Sequence, residues 1–166
     1  MLDAYKNLEA VLEDEIKVYR HLLDLVRQEK EVLVSAKIDE LNENNRAKEA
    51  MILKIRGLER LREKSARDLA ATVGANSESP RLLEIAFKMA EPYNGKLRSF
   101  HSTLELLIKR IKELNDNNEQ LIQSSLKMVN GALGAIKDTI QPRGTYASSG
   151  EVKKNEVAGH FVSKEI

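Results

Sequence analysis

Histidines are the residues of this chain most able to bind a metal or shuttle a proton near neutral pH, and they stand at His21, His101 and His160. They lie far apart, and neither His21 nor His101 has the Glu three residues earlier that completes a metal site in di-iron helical bundles. Surface or interface histidine is the reading that this spacing supports. There is no cysteine, so disulfides, thiolate catalysis and cysteine-based metal sites are excluded together. Gly131-Ala132-Leu133-Gly134 lies inside a helical apolar pattern and not between a strand and a helix, so it is no phosphate-binding loop. The acidic run Glu13-Asp14-Glu15 reads as a solvated helix face. No catalytic constellation emerges: an enzyme is not expected, and neither is a cofactor or a metal.

What must then be explained is the helical patterning. Only 4% of residues are aromatic, there is no Trp and 32% are charged, so a core must come from Leu, Ile, Val and Ala stripes on long helices. A chain of 166 residues suits one domain. The 27 basic and 26 acidic residues nearly cancel without forming a basic block, which argues against nucleic acid as a partner. No apolar run approaches the roughly 20 residues that span a bilayer. Met1 to Tyr5 lead straight into charged amphipathic sequence and not into a secretory signal. A soluble, cytoplasmic protein is expected.

Apolar residues at Leu8, Leu12, Ile16, Tyr19, Leu23, Val26 and Leu33 recur at three- and four-residue steps and predict a helix over about 2–34, with Lys30 as a polar gap. A break around Ser35 to Ile38 precedes Asp39, a candidate cap for a second helix over 39–73. Its stripe runs Leu41, Asn45, Lys48, Ile52, Ile55, Leu58, Ala66, Leu69 and Val73, and the short connection forces an antiparallel hairpin. Gly74 to Pro80 is the clearest interior break, with Ser79 as candidate cap and Pro80 in the first position of a short helix over 80–91. Pro92 and Asn94-Gly95 kink or interrupt the chain before the longest pattern, which runs from Leu104 through Leu107, Ile108, Ile111 and Leu114 to Ile136, over about 95–140. At a rise of about 1.5 Å per residue, some 45 residues make a helix roughly 68 Å long. The fold expected is all-α, an elongated antiparallel up-down bundle or coiled coil of three long helices plus a short one over residues 1–141.

Pro142 and Gly144 end the last helix, and residues 142–166 have no sustained period, which predicts a flexible C-terminal tail. The tail still holds Tyr146, Val152, Val157, Phe161, Val162 and Ile166, readable either as a docking peptide or as scattered apolar residues. The phrase Ile38-Asp39-Glu40-Leu41-Asn42-Glu43-Asn44-Asn45 returns as Ile111-Lys112-Glu113-Leu114-Asn115-Asp116-Asn117-Asn118. The stripes put Asn45 and Asn118 at seam positions, where a buried Asn costs stability but fixes register. Coincidence in a chain rich in Glu, Leu and Asn explains the repeat equally well. From Leu126 to Ile140 the pattern is apolar yet carries Asn130, Gly131 and Gly134, and each interior Gly costs about 1 kcal/mol against Ala. Such a weak-ended helix suits the close approach of another helix, internal or supplied by a client.

These features together resemble the FlgN family of flagellar type III export chaperones. Leu114-Asn115-Asp116-Asn117-Asn118-Glu119-Gln120-Leu121 is similar to the family's Leu-Asn-x-x-Asn-x-x-Leu phrase, and Thr145-Tyr146-Ala147-Ser148-Ser149-Gly150 to its tail motif of a Tyr followed four residues later by Gly. Glu29-Lys30-Glu31 with Leu33, and Lys48 with Met51-Ile52-Leu53, match more loosely, so the likeness spans the chain. The resemblance implies a cytoplasmic chaperone that binds the C-terminal segments of hook-associated (hook-filament junction) proteins and prevents their premature assembly. It further implies delivery to the export gate, with only peripheral contact at the membrane apparatus. The implied client surface lies on the last long helix, at Asn118, Leu121, Ile122, Leu126, Val129, Leu133 and Ile136, and Tyr146 is implied to dock on the cytoplasmic domain of the gate. A weak homodimer is compatible with this. The rival readings are a coiled-coil adaptor or scaffold acting by homo-oligomerisation, and a type III secretion chaperone with a different client.

Overall fold

The structure, a computed structural model, describes residues 1–140. The expected tail over 142–166, with Tyr146 and His160, lies outside the described residues. Among those described there are four helices and no strand: α1 (Leu2–Ser35), α2 (Ile38–Val73), α3 (Leu82–Phe87) and α4 (Tyr93–Ile140). The chain divides into two units, Met1–Ser124 and Ser125–Ile166.

Within the first unit α1 buries two adjoining stripes rather than one. Tyr5, Leu8 and Leu12 pack in one cluster with Ala66, Leu69 and Ala70 of α2, Ile85 and Ala86 of α3, and Leu97 of α4. Further along, Val18, Leu22 and Val26 meet Ile55 of α2, while Ile16 and Leu23 meet Leu107 of α4. Leu8, Leu12, Leu69, Ile85 and Leu97 are fully buried, and withdrawing each such side chain from water is worth roughly 1.5–3 kcal/mol. The short α3 persists because Ile85 and Ala86 anchor it in this core, since six residues are too few for a helix to stand alone. A helix covered on two sides explains why Val18, Leu22, Leu25 and Val32 are buried although the single predicted stripe omits them.

Backbone chemistry at the turns differs in detail from the expected caps. α1 ends at Ala36 in the left-handed region, φ 54°, where the Ala36 N–H bonds to Leu33 O and the Lys37 N–H to Val32 O. The next helix then starts at Ile38, and Asp39 lies in its first turn, where an acidic side chain suits the helix dipole, instead of capping it. α2 closes at Gly74, φ 72°, with the Ala75 N–H donated to Ala70 O at 2.9 Å. Asn76, not Ser79, organises the loop that follows: its Oδ1 accepts the N–H groups of Glu78 and Ser79 at 3.0 and 3.2 Å. α3 therefore begins only at Leu82, shorter than the expected 80–91. Pro92 directly precedes α4, and the Gly95 N–H of its first turn donates to Glu91 Oε2 at 3.1 Å.

The left-handed Ala36 carries a penalty of about 1–2 kcal/mol for its Cβ, which glycine avoids at an unfolded-state entropy cost of about 0.5–1 kcal/mol. Ala36→Gly is accordingly expected to stabilise the fold by about 0.5–1 kcal/mol in urea titrations, and a loss of stability would show that the turn is not held as described.

Candidate functional site

Three helices meet in a polar layer inside the first unit. Glu29 of α1, Asn44 of α2 and Asn118 of α4 are 5%, 4% and 2% exposed. The Asn118 amide donates to the carbonyl of Val26 at 2.9 Å and to Glu29 Oε2 at 3.0 Å. From the other side, the Asn44 amide donates to the Leu25 carbonyl at 2.9 Å, and Lys48 forms an ion pair with Glu29 Oε1. Among the described residues, Oδ1 of Asn44 and Oδ1 of Asn118 have no protein hydrogen-bond partner. The α2 member is thus Asn44, while Asn45, expected at the seam, is half-buried. Asn118, expected on a client surface, is instead an interior residue whose amide is already committed.

A second polar group opens onto a cleft of about 1110 Å³ bounded by α3 and α4 and floored by α1 and α2. Glu15, read from sequence as part of a solvated face, has a side chain only 1% exposed and accepts a bond from Arg62 Nε at 3.0 Å, while Glu13 and Asp14 are exposed as expected. Burial pushes the Glu15 carboxyl above its ordinary value, against the opposing pull of the Arg62 guanidinium. Beside it, burial and the charges of Glu59 and Glu15 push the Tyr19 phenol up to about 12, and its OH donates to Glu59 Oε1 at 3.3 Å. The signal for Glu15 was its spacing, three residues after buried Leu12 and four before Tyr19. Identity as an acid masked that position. His101 lines the cleft with its Nδ1 3.9 Å from Glu105, and His21 is exposed.

In the second unit the described residues are the last turns of α4, and all of them are exposed. Leu126, Val129, Leu133 and Ile136 are 58%, 56%, 59% and 54% exposed. At about 100° per residue their spacing places all four on one face of the helix. Gly131 and Gly134 fall off that face, and a Cβ built on either meets nothing within 4 Å, so neither glycine is required by close packing. Their physical effect is on the helix itself, which they weaken by about 1 kcal/mol each against Ala.

Residues 1–154 match the family described as FlgN protein. The chain belongs to the FlgN family. No curated protein and no solved structure matches it. FlgN proteins are chaperones of flagellum biogenesis. In this FlgN protein the structure separates the residues grouped from sequence as a client surface. Leu126, Val129, Leu133 and Ile136 share a face in the second unit, Leu121 is half-buried and Ile122 is 39% exposed in the first, and Asn118 is interior. Tyr146 lies outside the described residues. No described helix is long and apolar enough to cross a membrane.

Replacing Asn118 with Leu removes one of two donors from the buried Glu29 carboxylate and is expected to cost about 1–3 kcal/mol in urea unfolding. In a double-mutant cycle with Glu29→Leu the two losses should fall short of additivity by at least about 0.5 kcal/mol, and strict additivity would show that the pair is not coupled. For Glu15 the raised value means that the folded chain holds the proton more tightly than the unfolded chain. Stability contributed by this group is therefore full below the ordinary value of 4.5 and falls as pH rises through the raised one. Measured as urea stability, Glu15→Gln should gain on wild type as pH rises from 4.5 through the raised value, and a difference independent of pH would contradict the buried placement.

Proposed function

We propose that this FlgN protein is a cytoplasmic export chaperone that binds the C-terminal segments of hook-associated proteins, blocks their premature assembly and delivers them to the type III export gate. The observation that supports it is the run Leu126, Val129, Leu133 and Ile136, four large apolar side chains on one helical face, each more than half exposed. A stripe of that kind is unfavourable in water and suits the apolar face of a client helix that would otherwise self-associate. Leu121 and Ile122, assigned to the client surface by resemblance, stay in the proposal as flanking positions. Gly131 and Gly134 keep the helix weak, so ordering it on binding consumes part of the interaction energy and leaves the affinity moderate. Release then needs no ATP hydrolysis by the chaperone. Tyr146 is proposed to engage the cytoplasmic domain of the export gate, which would let a second partner bind while the client stays in place.

The test is co-purification with the C-terminal segments of the same organism's hook-associated proteins. Wild type is expected to retain a client, Leu133→Asp to lose at least tenfold of it, and Tyr146→Ala to keep the client while losing the gate domain. Retention of no client by wild type would overturn the assignment, and a stable higher oligomer in light scattering would favour a scaffold.

A further inference from the structure

The apolar face at the end of α4 is a regular seam with almost no charge beside it. Leu126, Val129, Leu133, Ile136 and Ile140 follow one another at alternating steps of three and four residues and are 54% to 74% exposed. Flanking the seam stand Ser125, Asn130, Ala132, Lys137 and Thr139, of which Lys137 alone is charged. Charges at such flanking positions are what set partner choice and orientation between paired helices. With one cation there, the seam discriminates poorly among apolar partners, and an apolar segment held at high local concentration has the advantage.

The chain itself carries such a segment. Pro142 and Gly144 follow α4 at once, residue types suited to reversing the direction of the chain. Further on, Val157, Ala158, Phe161 and Val162 recur over a short stretch at one- and four-residue steps, which share one face of a helix, while Glu156, His160 and Ser163 fall opposite. The family match ends at residue 154, so this apolar cluster lies in the part of the chain that the family description does not cover. Reach is ample: Leu126 is about 21 Å back along the helix from Ile140 at the helical rise, and the 17 residues from Ile140 to Val157 extend to at most about 60 Å. A connection of this length presents the segment to the seam at roughly millimolar effective concentration, which no untethered partner matches without a much higher affinity. We propose that residues 157–162 fold back as about two turns of helix on the 126–136 face of α4 and cover it while no client is bound. A client must then displace the segment, which lowers its apparent affinity by the fraction of chains left uncovered. That consequence rests on the function proposed above; the fold-back itself does not.

The absence of native cysteine allows a single nitroxide label at Ser163→Cys, on the polar side of the segment. In the full isotope-labelled chain without client, the amide signals of residues 126–136 are expected to weaken at least twofold against the same sample with the nitroxide reduced. Phe161→Asp/Val162→Asp in the same labelled chain should restore them. The weakening should persist when the labelled chain is diluted into an excess of chain carrying neither isotope nor nitroxide, because the contact lies within one molecule. No weakening, weakening that survives Phe161→Asp/Val162→Asp, or weakening lost on dilution, which would assign the contact to a second copy, would each overturn the inference. None of these outcomes decides client retention: a chain with an uncovered seam can still hold a client, and a chain that holds none can still fold its own segment back.

Discussion

A carboxylate inside a helical bundle must be met by donors, because desolvation of a charge outweighs the gain from burying its aliphatic stem. Glu29 is in that position, and its donors come from two other helices: Lys48 from α2 and Asn118 from α4. Asn118 also reaches the Val26 carbonyl, and Asn44 reaches that of Leu25, so the layer grips the backbone of α1 from both sides. Sliding α2 or α4 along α1 would strand the carboxylate, whereas sliding one Leu past another costs far less. The layer therefore supplies the register that an aliphatic core cannot, while exposed pairs such as Lys17–Asp14 and Arg27–Asp24 contribute little.

The core around this layer follows from having few aromatics. Leucines and alanines fill the cluster of Leu8, Leu12, Ala66, Leu69 and Ala70, and the buried Tyr5 keeps its hydroxyl bonded. Tyr5 packs edge-on against Tyr93 with ring centroids 4.6 Å apart and donates to Glu9, which also meets Lys96 of α4. Its hydroxyl is pushed up by burial and by Glu9. Glu15 with Arg62 repeats the logic of Glu29 one polar layer away, this time at the floor of an open cleft.

What the interior leaves outside is as informative as what it holds. Among the apolar side chains left exposed are those of the cleft of the first unit and those of the terminal turns of α4 in the second. They differ in chemistry. The cleft sets its apolar surface among charged side chains of both signs, whereas the α4 stripe is a plain aliphatic face on a helix weakened by glycines. In a member of a chaperone family, exposed apolar surface is the material that the proposed client binding would use.

Periodicity in the sequence was enough to determine the all-α class, three long helices and the breaks at Ser35–Ile38 and Gly74–Pro80, because an amphipathic stripe and a turn residue act locally. It also made the aliphatic face from Leu126 to Ile136 legible, while the family resemblance rested on the phrase from Leu114 to Leu121 and the motif from Thr145 to Gly150. Tertiary structure decided which polar residues lie inside. Asn44 rather than Asn45, Glu29 rather than a gap at Lys30, and Glu15 out of an acidic run are buried because α1 is covered on two sides, which a single-stripe reading cannot represent. The cleft was invisible for the same reason: Leu83, Phe87, Ile108 and Lys109 come together only when α3 is drawn into the core by Ile85 and Ala86 and set across from α4. Local pattern fixes what a helix is, and long-range packing alone fixes which of its faces water still reaches.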